Sequence, residues 1–282
     1  MHRTILSATI AALVLVSVVP VRAEEPLDLD MVTRIRQEGL RRSQVMDTMR
    51  ALTEDIGPRL TGSPAMLAAN EWTLAKLEEW GLENGRLEAF EFGRGWSFDH
   101  CEVHMIEPRP RPLVAYPEAW TPGTKGRVTG RAVRLEVETA EDLEQYRGEL
   151  ENAIVFMDDP REVDPDDTPR FSRYSAEELA ELEHFPIPDG KPSQWRARYR
   201  KTLELRKSLV PFLKEEGVLA TVKISSRNHG LVRVMSGGRY ELEEPETVCG
   251  LRMAAEHYNA VLRALEEEKE VRIAIDVRAS FH

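Results

Sequence analysis

The sequence predicts an α/β fold, and three observations carry that expectation. Short runs of alternating apolar residues recur, as at Val128–Val137 and Val271–Val277. Amphipathic helical stretches stand between such runs. A strand, helix, glycine, strand succession (Ala153–Met157, Lys201–Glu216, Gly217, Val218–Ile224) has the order of a parallel crossover unit.

In chain order, Met1–Ala23 reads as a secretory signal. Arg3 supplies the positive end, Ile5–Val19 the apolar stretch, and Val21-Arg22-Ala23 a small-residue cleavage site. The apolar run is shorter than the roughly 20 residues that span a bilayer. Cleavage would remove two arginines and no acids, taking the net charge of −11 to −13. So acidic a chain repels phosphate, which argues against nucleic acid as a partner. No later segment approaches a membrane span. Export permits disulfides, but only Cys101 and Cys249 are present; a bridge between them and two buried thiols are both compatible with the sequence.

Asp28–Leu52 reads as one helix, with Val32, Ile35, Leu40, Met46 and Met49 as its apolar positions. Asp55–Pro64, DIGPRLTGSP, is a bent loop: Gly57-Pro58 and Thr61-Gly62 break regular structure. Ser63 is placed to cap a helix and Pro64 to occupy its first turn. That helix is expected to run to Trp80, stop at Gly81, and carry Leu67, Leu74 and Leu77 on one face. Leu87–Phe92 alternates like a strand, and Trp96–Ile106 reads as another. Glu107–Pro122 is proline-rich and irregular, a natural domain boundary. Leu143–Tyr146 reads as a short helix, Asp158–Pro192 as a polar insert, and Arg252–Glu268 as an amphipathic helix with Ala254, Tyr258, Val261 and Leu265 on one face. Val271–Val277 is expected to leave an unpaired edge, making residues 24–282 poorly soluble alone.

No set of residues reads as a catalytic or metal centre. His100 and His104 lie about 13 Å apart on a strand, at ~3.3 Å per residue, too far to share one metal; Asp99 and Cys101 stand nearby, and a structural pair is the default. The acidic stretch Asp158, Asp159, Glu162, Asp164, Asp166, Asp167 lacks calcium-loop spacing and reads as a solvated loop. The basic run Trp195–Lys201, with Arg206 and Lys207, reads as a helix surface or a docking patch. There is no G-x-S-x-G elbow. Ser236-Gly237-Gly238 reads as a turn; without a following helix it is weak as a phosphate cradle.

The DIGPRLTGSP loop with the helix and strand after it resembles the entry segment of secreted di-zinc aminopeptidases and carboxypeptidases that carry an inserted protease-associated domain. Gly126–Val137, Ala153–Met157 and the step Phe212–Ala220 resemble that insert, and Val271–Val277 resembles the return to the catalytic sheet. The resemblance implies residues 24–122 as the front of a peptidase domain, 123–250 as a mainly β protease-associated insert, and 251–282 as a truncated return. It implies two zinc ions activating a bridging water against a peptide carbonyl in a complete member, with a glutamate as base. The family's H-x-D motif, and a glutamate pair following it, are not among the 282 residues. No catalytic, cofactor or metal residue is therefore assigned. The chain reads as an inactive N-terminal fragment or a shortened product of an exported exopeptidase. The alternative is a non-catalytic exported protein binding peptides or a partner through the protease-associated domain.

Overall fold

A computed structural model describes residues 27–165, 169, 171–184 and 194–282. The segment read as a signal, Asp166 and Asp167 lie outside them. The chain divides into two compact units, one ending at Asp55 and the other beginning at Ile56.

In the first unit the single helix expected over 28–52 is broken. Helix α1 covers Leu29–Leu40, capped by Asp28, whose carboxylate accepts the Met31 N–H at 2.9 Å. Residues 41–44 interrupt it, α2 follows over Val45–Arg50, and a π-helical stretch covers Ala51–Ile56. Neither α-helix buries a residue: Ile35, Leu40, Met46 and Met49 are all exposed. With no packed face to hold them straight, local backbone preferences decide where the helices stop.

In the second unit α3 covers Pro64–Glu79, and Ser63 caps it by accepting the Met66 N–H at 3.2 Å. Gly81 follows at φ +89°. The sequence therefore places this helix within a residue. Its Leu67, Leu74 and Leu77 face is not buried; Ala69 is the only residue of the helix that is.

Among the described residues eight strands form one sheet: β1 Trp96–Glu107, β2 Arg111–Pro112, β3 Ala115–Pro117, β4 Val128–Arg134, β5 Ala153–Phe156, β6 Ala220–Ile224, β7 Cys249–Met253 and β8 Arg272–Phe281. Their order is β2-β1-β8-β4-β5-β6-β7-β3. β4, β5, β6 and β7 are mutually parallel, while β1–β8, β8–β4 and β7–β3 are antiparallel. The sheet curls until its far strand returns to β1: the Leu113 N–H donates to Val103 O at 2.8 Å, and the Cys101 thiol reaches Ala115 O at 3.5 Å.

Helix α4 (Ala176–Glu183) opens with a capping box between Ser175 and Glu178. Helix α5 (Gln194–Glu215) ends at Gly217, φ +72°, and feeds β6; the parallel β5–α5–β6 crossover is present as the sequence predicts. Helix α6 (Ala255–Glu266) is shorter than expected, because Cys249–Met253 is a strand. The sheet carries a core on each face. Ile154, Phe156, Val222, Leu251 and Ile275 pack with Tyr258, Val261 and Leu262 of α6. On the other face Val155 and Leu150 pack with Phe212 and Leu213 of α5.

Three further expectations are corrected. β8 is not an edge: it pairs with β1 on one side and β4 on the other, so the reason given for poor solubility fails at that strand. Leu87–Phe92 alternates but is not a strand, because among the described residues no neighbouring strand pairs with it. Residues 107–122 are not wholly irregular, since β2 and β3 lie within them. Strands before, within and after the expected insert all belong to the one sheet.

The loop Asp55–Pro64 is held by backbone packing. Gly62 has φ +78°, and a Cβ on Gly95 would lie 2.0 Å from Gly62 O. Only two glycines allow so close an approach. Gly95 also exchanges backbone hydrogen bonds with His282, so the loop meets the start of β1 and the end of β8.

Candidate functional site

On the α5-facing side of the parallel β6–β7 pair several charges converge beside a cavity. Alternation sends Ala220 and Val222 into the α6 core and leaves Thr221 and Lys223 on the α5 side. In register, Thr221 pairs with Gly250 and Lys223 with Arg252. Gly250 leaves room above the sheet, where a Cβ would lie 3.1 Å from a Glu118 carboxylate oxygen. Glu118 fills that room. It follows β3, donates its own N–H to Gly250 O at 2.7 Å, and is 1% exposed.

Both Glu118 oxygens are satisfied. Arg252 Nη2 donates to Oε1 at 2.5 Å and Lys223 Nζ to Oε2 at 2.9 Å. Arg252 reaches further: Nη1 donates to Ile224 O at 2.9 Å and lies 4.0 Å from Asp158 Oδ2. Burial raises the Asp158 carboxyl above its usual range, opposed by the Ile224 N–H it accepts at 2.8 Å and by the Arg252 charge. Two acids and two bases thus neutralise one another in a low-dielectric setting.

A cavity of about 210 Å³ lies beside this cluster, under α5. Thr221, Lys223, Glu118 and Thr121 give it a polar side; Met157, Leu205, Leu209 and Leu213 give it an apolar one. A neighbouring cleft of about 350 Å³ runs between α5 and residues 238–247. Arg206, Val210 and Thr247 line both spaces. Arg206 donates to Gly237 O at 2.6 Å.

The residues singled out in the sequence are scattered rather than assembled. His100 lies 3.6 Å from an Asp276 oxygen and 3.7 Å from Glu102, on the face of β1 opposite the core-facing Cys101. His104 takes part in β1 pairing with both β2 and β8. Among the described residues no group of three His, Cys, Asp or Glu side chains is disposed to hold a metal. Cys101 and Cys249 are free thiols, each pushed up to about 12 chiefly by burial, which answers the question the sequence leaves open. His257 Nδ1 accepts the Val114 N–H at 2.8 Å, and burial then Arg111 lower its basicity.

The acidic stretch is partly structural. Asp158 exchanges backbone hydrogen bonds with the Tyr258 hydroxyl, and Asp159 pairs with Arg134 at 2.8 Å. In the basic run, Lys201 pairs with Glu138 and Lys207 with Glu204; the side chains of residues 195–200 lie outside the described set. Gly237 and Gly238 both donate their N–H groups to Ala119 O at 3.0 Å, so neither glycine amide is left for a phosphate. Among helices of the described residues none is long and apolar enough to cross a membrane.

Sequence reasoning missed the Glu118–Lys223–Arg252 cluster. Its available signal is weak: one lysine within the strand-like Thr221-Val222-Lys223-Ile224, and one arginine within Leu251-Arg252-Met253. More than 100 positions separate Glu118 from either.

No family model matches the sequence, and no curated protein matches it. Solved structures do. A peptidase M28 precursor from Shewanella amazonensis aligns with TM-score 0.51 and 20% identity, over 90% of this chain and 50% of that one. An aminopeptidase from Aneurinibacillus sp. strain AM-1 gives 0.42 and 13%, over 84% and 44%, and a zinc aminopeptidase from Bacillus subtilis gives 0.41 and 11%, over 83% and 44%. The chain spans about half the length of these structures, and on the strength of the first it has the fold of the corresponding half of an M28 peptidase precursor.

Proposed function

We propose that this chain forms the scaffold portion of an exported, zinc-dependent exopeptidase and does not itself hydrolyse peptides. The observation that carries the reading is the fold match over 90% of this chain but half of the peptidase precursor. The zinc comes from the sequence resemblance, and the described residues do not fit it, since no three ligands converge. No chemical step is therefore derived through a metal on these residues. In the complete enzyme the substrate would be a peptide, and residues 123–250 would form the protease-associated insert. Export rests on the apolar Ile5–Val19 stretch and the Val21-Arg22-Ala23 site.

The test is direct. The purified chain, incubated with zinc, is offered aminoacyl-nitroanilides and N-blocked dipeptides. The expected result is no chelator-sensitive release of product. Zinc-dependent turnover would overturn the reading and require a metal centre built from these residues.

A further inference from the structure

The cavity beneath α5 combines a charge imbalance with an apolar wall. Glu118, Asp158, Lys223 and Arg252 cancel. Arg206 adds one positive charge at the junction of cavity and cleft, and among the described residues no carboxylate lies within ion-pair distance of it. Its one hydrogen bond among the described residues, to Gly237 O, leaves most of its donors without a partner among them. Lys223 gives one N–H to Glu118 and is 32% exposed, so two ammonium donors remain. Glu118 cannot serve a ligand cation, because Arg252 and Lys223 already occupy both its oxygens.

We propose that this cavity binds a small monocarboxylate bearing a compact apolar tail. The carboxylate sits between Arg206 and Lys223, and the tail lies against Met157, Leu209 and Leu213. A planar carboxylate matches the arginine fork, and partial burial strengthens the pairing. Other classes fit worse. A phosphate monoester would bring more negative charge than Arg206, the cation of this cavity without a carboxylate partner among the described residues, balances, and the Gly237–Gly238 amides are already used. At about 210 Å³ the space is smaller than a drug-sized pocket, so long lipid tails are excluded. Free short-chain acids and the C-terminus of a peptide ending in an aliphatic residue share the required chemistry. The site is independent of the exopeptidase reading and stands whether or not the chain belongs to a peptidase.

The experiment titrates the full chain, by saturation-transfer NMR and calorimetry, with 4-methylpentanoate, N-acetyl-glycyl-leucine, and the carboxamide of each. At least one acid is expected to bind saturably, and its amide about tenfold more weakly or worse. Tighter binding of 4-methylpentanoate identifies a free acid as the ligand; tighter binding of the dipeptide identifies a chain terminus. Arg206→Gln keeps a donor for Gly237 O and leaves the Glu118 cluster untouched; it should weaken the acid about fivefold to tenfold. Thr247→Phe, which fills the shared wall, should abolish binding. For both variants an unchanged urea midpoint shows that the fold is intact, and a variant that unfolds is replaced by Val210→Phe at the same wall. Equal binding of acid and amide, no binding of either acid up to about 10 mM, or full affinity in folded variants at positions 206 and 247 would overturn the proposal.

Discussion

The curled sheet of residues 96–281 and the segment 56–95 that precedes it carry comparable apolar patterns, yet only the sheet buries them. Ile154, Leu251 and Ile275 are inaccessible to solvent, whereas Phe90 is 74% and Leu67 55% exposed. The difference lies in partners. Each strand from β8 to β7 has a strand on either side and a core on one or both faces, while α3 and residues 87–91 have little of the second unit laid over them; Phe92, stacked on Tyr240, is where cover begins. An apolar periodicity states what an element can bury; a neighbour decides whether it does.

The largest test of this contrast lies at Leu251. Leu251→Ala within the core should cost about 2 to 5 kcal/mol by transfer and cavity terms, read from urea denaturation. Next, Glu118→Gln leaves the largely buried Arg252 and the partly exposed Lys223 against a neutral group. The expected loss, read in the same way, is about 2 to 4 kcal/mol, below the full cost of breaking a wholly buried pair because water reaches Lys223. A loss under about 1 kcal/mol would place the cluster with surface ion pairs and weaken the picture of a sealed sheet. At the junction of the two regions, Gly62→Ala adds a Cβ at φ +78°, 2.9 Å from Gly95 Cα. The expected cost is about 1 to 3 kcal/mol, and a neutral result would show that the DIGPRLTGSP loop is not pinned to β1.

A smaller effect follows from His257. Its folded basicity is depressed below the ordinary 6.5, because burial and Arg111 disfavour the imidazolium, with Glu256 opposing. The unfolded chain therefore binds the proton more readily. The stability this gives is complete above pH 6.5 and is lost as pH falls through the folded value. Urea midpoints measured from pH 7.5 to 5 should decline more steeply in the native chain than in His257→Asn, whose side-chain oxygen can accept the Val114 N–H without titrating; equal slopes would refute the assignment. The smallest effect belongs to the uncovered region: Phe90→Ser should change stability by less than about 0.5 kcal/mol. A larger loss would mean that residues 87–91 are covered in solution.

Legibility followed the same division. Ser63, Pro64 and Gly81 placed α3 because capping is local chemistry. Ala153–Met157 is readable because five consecutive apolar residues suit a doubly covered strand, and the structure buries the four, Ala153–Phe156, that form it. The helical pattern expected from Arg252 overlaps the end of Cys249–Met253, whose alternation of Cys249, Leu251 and Met253 is too short to stand out in sequence; β6 makes it a strand by pairing with it along five positions. Leu87–Phe92 is the converse, a strand pattern without a partner. β8 was readable as a strand but not as an interior one, because sequence order says nothing of which strands become neighbours.

By itself, then, the sequence determined the α/β class, the α5 crossover, the capped α3 loop and the likeness to a peptidase entry segment. These depend on backbone preference and side-chain period over a few residues. The tertiary structure alone decided that the last strand is interior, that the sheet curls back to β1, and that Glu118 meets Lys223 and Arg252. A buried charge cluster is a property of separation in space, and residues more than a hundred positions apart leave no local pattern from which to read it.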